Sequence, residues 1–114
     1  MNTKEIASKL VQLCKEKKFS VARKQLFSNN AVGIEADGSI CKGLKTMDKK
    51  EKGWHSSMEK FHSVKVSKPL VNGNFFSVAF TWDVTYKGKE RTQWSEIGIF
   101  EIKNGKIIME RFFY

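Results

Sequence analysis

Cysteine and proline are almost missing from this chain, and no apolar run is long enough to cross a bilayer. Cys14 and Cys41 are the only cysteines in 114 residues, too few and too scattered for a disulfide framework. Neither has the CxxC or Cys/His spacing that a metal site needs. Cys14 falls on the apolar side of a helical pattern and reads as core. Two free thiols imply a reducing, cytoplasmic setting. With one proline, Pro69, and no repeat or low-complexity stretch, the chain offers no linker and reads as one domain over 1–114. No segment reaches the ~20 apolar residues of a membrane span. The first residues, Met1-Asn2-Thr3-Lys4-Glu5, lack the apolar block of a signal peptide.

Arginine is scarce as well. Of 21 basic residues only Arg23, Arg91 and Arg111 are arginine, and the net charge is +9. Guanidinium supplies the bidentate fork for phosphate and guanine, whereas lysine is a strongly hydrated point charge. The lysines are spread over every segment, densest between Lys42 and Lys52. The charge therefore reads as a solvated basic surface, and a nucleic-acid partner is not expected. A Ser-His-Asp arrangement, a phosphate-cradling glycine loop and a dinucleotide fingerprint are all absent. His55 and His62 stand seven apart, which is not the i,i+4 spacing of a zinc pair, and no third ligand is evident. No metal and no cofactor are expected, and the histidines read as rim or surface residues.

What remains is ordinary globular material: 40% hydrophobic and 29% charged residues, enough to build a core with room for one cavity. Asn2 or Thr3 can cap a helix over Lys4–Lys17, with Ile6, Ala7, Leu10, Val11, Leu13 and Cys14 at helical spacing. A second helix is expected from about Ser20 to Phe27, with Val21, Ala22, Leu26 and Phe27 inward, broken by Ser28-Asn29-Asn30. Ala31–Glu35 reads as a short strand. A third helix runs from Gly43 to about Met58, placing Leu44, Met47, Glu51, Trp54 and Met58 on one side, with Gly53 as a weak point.

The rest alternates with period two. Strands are expected over Phe61–Val71, Phe75–Tyr86, Arg91–Ile102 and Ile107–Tyr114, joined at Asn72-Gly73-Asn74, Lys87-Gly88-Lys89 and Lys103-Asn104-Gly105-Lys106. Three helices followed by a four-stranded meander is an α+β pattern. Phe80, Trp82, Val84, Trp94, Phe112 and Tyr114 fall on one face of the last three strands. Val78, Ile97, Ile99, Ile107, Met109 and Phe113 are assigned to the other. A sheet that is apolar on both faces needs two covers, and the helices supply one. A second copy of the chain, packed through the outer face as a homodimer, is the expected second cover.

The order helix–helix–short strand–helix–long hairpins resembles the nuclear-transport-factor-2-like superfamily, and within it the SnoaL-like domains related to polyketide cyclases. Leu26-Phe27-Ser28-Asn29-Asn30-Ala31-Val32, Gly43 opening the third helix, and Glu96–Tyr114 with its Gly-Lys-Ile turn carry the resemblance. It implies a cone-shaped, curved antiparallel sheet wrapped by three N-terminal helices. It does not imply one reaction, since the superfamily hosts isomerases, cyclases, dehydratases and plain binding modules.

Ketosteroid isomerase, of the same superfamily, offers a register. Its general-base aspartate falls on Glu35, its carbonyl-polarising tyrosine on Val11, and its protonated aspartic acid on Gly98. Two of those three groups are thus missing, and ketosteroid isomerisation is not expected. The same register turns Phe80, Trp82, Val84, Trp94, Glu96, Glu110, Phe112 and Tyr114 to the pocket. It turns Thr81, Asp83, Ile97, Ile99, Met109 and Arg111 outward.

Three acids are candidate catalytic residues: Glu35, Glu96 and Glu110. Glu96 and Glu110 interrupt apolar runs on neighbouring strands and are expected close together. A carboxylate in an apolar cavity has its pKa raised by desolvation, and a second carboxylate raises it further. Such an acid exchanges protons near neutral pH, as enolisation or dehydration requires. Alternatively each glutamate bonds a neighbour such as Tyr114, Trp94, Lys50 or, across a dimer, Arg111. Trp54, Phe80, Trp82, Trp94, Phe112 and Tyr114 are the expected wall for a small apolar or aromatic ligand. A non-catalytic binding or protein-interaction module would use the same surfaces.

Overall fold

Asn2 starts the first helix. Its side chain accepts from the Glu5 amide at 2.9 Å, and the Glu5 carboxylate accepts from the Asn2 amide at 3.0 Å, a reciprocal capping box. In this computed structural model, which describes residues 1–114, helix α1 spans Thr3–Lys15. It buries Ile6, Ala7, Leu10, Val11, Leu13 and Cys14, the six positions expected from the spacing. Helix α2 covers Phe19–Leu26 and buries Ala22 and Leu26. Val21, expected inward, is 39% exposed.

Leu26 passes directly into strand β1, Phe27–Ile34, so Ser28-Asn29-Asn30, expected as the break that ends the helix, lies inside a strand. Strand β2 (Ile40–Lys42) returns on it antiparallel. Helix α3 occupies Leu44–Ser56 and continues through Gly53, with Met47 as its buried anchor. The strands that follow are β3 (Met58–Val66), β4 (Leu70–Asn72), β5 (Phe75–Tyr86), β6 (Arg91–Lys103) and β7 (Lys106–Phe113).

The expected strand Phe61–Val71 is two strands. Pro69 has no amide to donate to a ladder, and Ser67 diverts the pairing: its amide donates to the Ala79 carbonyl and its hydroxyl accepts from the Ala79 amide. Asn104 (φ 52°) and Gly105 (φ 75°) both take positive φ at the β6–β7 turn, the backbone a tight hairpin demands.

The sheet has seven strands in the order β2-β1-β7-β6-β5-β3, with β4 pairing β5. It is curved, unclosed and mixed, which corrects the expected antiparallel sheet: β1 runs parallel to β7, in the register Val32↔Met109, Gly33↔Glu110, Ile34↔Arg111. A parallel partner is possible because the whole chain from α3 to β6 serves as the crossover. The helices pack on one face. A core of 20 buried residues runs from Ile6 on α1 to Ile107 on β7.

A bulge corrects the facing of one residue on the last strand. Glu101 pairs with Met109 but Ile102 pairs with Ile107, so Ile108 is the extra residue. The slip turns Ile107 into the core, fully buried, while Glu110 and Phe112 also face inward. Val78 shares the parity of Phe76 and Phe80 and is likewise buried. Both correct the outward facing expected from the alternation. Ile97 and Phe113, each 48% exposed, are outward as expected.

Candidate functional site

Strands β5, β6 and β7 present their inner residues to α2 and α3 across a cavity of about 680 Å³. Trp54, Phe80, Trp82, Trp94, Phe112 and Tyr114 all line it, as do Glu35, Glu96 and Glu110. The structure therefore brings every candidate residue to one hollow.

The aromatic wall is ordered by the strand register. Trp82 and Trp94 face each other directly across β5 and β6. Trp54, in the last turn of α3, sets its ring edge-on to both, with centroids 4.9 Å from Trp82 and 6.5 Å from Trp94. Trp82 stacks on Phe80 at 5.5 Å. The indole N–H groups of Trp54 and Trp94 both donate to the Tyr86 hydroxyl oxygen, at 3.1 Å and 3.2 Å. The Trp82 N–H is buried beside the Glu96 carboxyl, on which it acts. Gly98, the position where the ketosteroid isomerase register lacks its acid, leaves room for rings: a Cβ there would lie 3.0 Å from Phe100 and 3.2 Å from Phe112. Val11, the missing tyrosine of that register, is buried in the helix core and does not line the cavity.

The three acids stand in different company. Glu110 pairs with Phe100 across β7 and β6, whereas Glu96 lies four residues further along β6. The two share a face but differ in depth by about 13 Å of strand. Glu110 is buried and accepts from Arg23 Nη1 at 3.2 Å. Burial raises its pKa, and the Arg23 guanidinium opposes the rise. Arg23 also reaches Glu51 at 3.2 Å and Asp48 at 3.8 Å. Burial alone would lower the guanidinium pKa, yet Glu110 and Glu51 hold it above its usual value. Gly33, opposite Glu110 on β1, leaves space for that carboxyl: a Cβ would sit 3.5 Å from Glu110 Oε2 and 3.1 Å from Met47 Cε.

Glu35 follows the end of β1, where the Glu35 amide donates to the Ser39 carbonyl. It pairs with Lys50 of α3 and accepts from the Tyr114 hydroxyl at 3.3 Å. Burial first, and Glu35 next, raise the pKa of that phenol.

Glu96 has no cation beside it. Desolvation raises its pKa from 4.5 to about 7, the Trp82 N–H pulls part of the way back, and Glu35 and Glu110 push further up. It is the acid whose environment places proton exchange near neutral pH.

Two groups were not legible as site residues. Tyr86 shares the parity of Phe80, Trp82 and Val84, so its inward position follows from the alternation. Arg23 lies four residues after Phe19 and three before Leu26, on the inner side of α2; its signal was the rarity of arginine in a lysine-rich chain. Arg91, similarly rare, clamps Asp83 at 2.8 Å and 2.7 Å on the outer face and holds that carboxyl well below the usual range. His62 bonds Thr85 Oγ1 at 2.8 Å, and His55 packs among Phe19, Trp54 and Phe61. Burial pushes the Cys14 thiol up to about 12, which suits core.

A SnoaL-like domain profile matches residues 1–114. The chain belongs to the SnoaL-like domain family. No curated protein matches it in sequence. Among solved structures, a protein of Mesorhizobium loti named for the SnoaL-like polyketide cyclases is 31% identical, with a TM-score of 0.94 and all of both chains covered. A second protein so named, from Jannaschia, gives a TM-score of 0.83 at 11% identity over 99% of this chain and 88% of its own. A protein of Catenulispora acidiphila with a ketosteroid isomerase-like fold, solved with trimethylamine, gives 0.77 at 14% identity over 96% and 85%. The SnoaL-like resemblance read from the sequence thus holds over the whole chain, and the ketosteroid isomerase-like one holds for the fold. No helix is long and apolar enough to cross a membrane.

Proposed function

We propose that this SnoaL-like domain binds a small, flat, largely apolar carbonyl compound in its cone and exchanges a proton with it through Glu96. The reading rests on one observation: a carboxyl without a cation, set in an aromatic cavity, with its pKa raised to about 7. An acid tuned to the ambient pH is the efficient choice for general acid–base work. In the simplest step the Glu96 carboxylate takes the proton α to the carbonyl. The C–H electron pair moves onto the carbonyl oxygen as an enolate, and the carboxylic acid so formed later returns a proton. Glu110 serves the floor of the site with its charge tied to Arg23, and Glu35 serves the mouth with Lys50 and Tyr114.

Deuterium exchange into the methyl group of 2-acetylnaphthalene, followed by proton NMR in D₂O, tests the step. The native chain accelerates the exchange, and Glu96→Gln lowers the acceleration by about 10²-fold or more while retaining the bound ketone. Exchange unchanged by Glu96→Gln would remove that residue from the chemistry. Ketone bound without any exchange would favour the non-catalytic binding module.

We further propose that the outer face pairs with a second copy of the chain. Ile97 and Phe113 are direct cross-strand partners and both exposed. Glu101 and Arg111 lie near them on the same face, on neighbouring strands. A two-fold axis through such a patch sets each against its opposite in the other copy. Free Cys14 and Cys41 support a reducing, cytoplasmic setting.

A further inference from the structure

Tyr86 sits at the end of β5 with its hydroxyl among the indoles of the cavity wall. A phenol oxygen offers two lone pairs and one proton. Here both lone pairs are occupied, one by the Trp54 N–H at 3.1 Å and the other by the Trp94 N–H at 3.2 Å. The two donors come from different elements, α3 and β6, so the oxygen is fixed from two sides. What remains is the O–H proton, for which the folded chain supplies no acceptor.

A cavity with a spare donor is half of a polar contact. Tyr86 is half-buried, and a donor so screened from water that lacks an acceptor gains free energy from a ligand oxygen. Donors feeding the phenol oxygen polarise its O–H and strengthen the bond it gives. Neither tyrosine nor tryptophan needs to change charge for this.

We infer that Tyr86 is the ligand-anchoring donor of this pocket, its O–H bonded to the oxygen of an aromatic ketone or a similar neutral acceptor. The inference rests on the small-carbonyl reading of the cavity and names the contact that fixes the carbonyl end. It also assigns the division of labour: Trp54 and Trp94 aim the phenol, the phenol holds the oxygen, and Glu96 is left to address the carbon beside it. A ligand of the same shape with no acceptor leaves the Tyr86 proton unpaired and binds less well.

Two probes of one shape make the test: 2-acetylnaphthalene, which carries the acceptor, and 2-isopropylnaphthalene, which does not. Calorimetry gives the affinities, and the infrared stretch of the ¹³C-labelled carbonyl reports its hydrogen bond directly. The native chain is expected to prefer the ketone by roughly five- to tenfold and to lower its carbonyl frequency below the value in hexane. Tyr86→Phe should abolish both the preference and the frequency shift while the isopropyl compound binds as before.

A general loosening of the aromatic wall would weaken both probes equally, and that outcome overturns the anchoring role. So does an unshifted carbonyl in the native chain, which needs no variant to observe. Retention of the preference in Tyr86→Phe assigns the donor elsewhere and also overturns it. Failure of both probes to bind instead overturns the pocket reading on which the inference stands.

Discussion

Glu96 holds a proton in the folded chain over a range where the unfolded chain has already released it. Its folded pKa of about 7 lies above the 4.5 of an exposed glutamate, so folding binds a proton between those values. Stability therefore falls as pH rises from 4.5 to about 7 and stays low above it, and the full penalty is of order 3 kcal/mol. Glu96→Gln, neutral throughout, should flatten that slope and stabilise the chain above pH 7 by about 2–3 kcal/mol, measured by urea unfolding across the range. A slope that survives the substitution assigns it to another group. At Gly98 the constraint is space: a methyl would meet the Phe100 and Phe112 rings at 3.0 Å and 3.2 Å. Gly98→Ala should cost about 1–3 kcal/mol by overpacking and narrow the cavity, checked by a lower melting temperature and weaker 2-acetylnaphthalene binding.

Elements are joined at the floor of the site by one guanidinium. Arg23 ties α2 to α3 through Glu51 and to β7 through Glu110. Arg23→Met removes the only cation from a buried carboxylate and should destabilise by about 3–5 kcal/mol. Replacing Arg23 and Glu110 together by Met and Leu should restore much of the loss, because no unpaired charge is then buried. Equal loss in the single and double variants would show that the pair is not the cause.

The same scale shows how far the sequence could be read. Helix spacing placed α1, α3 and Trp54, and alternation placed β5, β6 and the other five aromatic residues of the wall. The strand pairing that completes the sheet was not readable, because β1 meets β7 across about eighty residues and no local pattern announces a parallel neighbour. The facing of Ile107 was lost to a bulge, since an inserted residue flips parity without changing composition. Glu96 and Glu110 are legible as interruptions of apolar runs, and Glu35 through the register of the resemblance. Lys50 and Tyr114 are expected neighbours of the acids and meet Glu35, whereas Arg23 is not expected, because it reaches Glu110 from another element.

For the molecule as a whole, the open question of its outer face has a direct measurement. The inner face is covered by helices, but Ile97 and Phe113 stand about half exposed on the outside. If a second copy covers them, sedimentation equilibrium should give twice the chain mass, and Ile97→Lys should shift the equilibrium to monomer with the melting temperature of the isolated fold retained. A native chain that sediments as a monomer at tens of micromolar contradicts the dimer. The +9 charge is compatible with association because that face sets the acids Asp83 and Glu101 beside the bases Arg91 and Arg111.

The parallel seam between β1 and β7 also governs when the hollow comes into being. Hairpins such as β5–β6 close over a few residues, whereas Phe27 reaches Ile107 only after β7 has been synthesised and looped back. Non-local pairings of this kind are the slow ones. Glu110 and the rest of β7 sit on that late strand, so a nascent or C-terminally shortened chain would own most of the aromatic wall yet have no enclosed chamber.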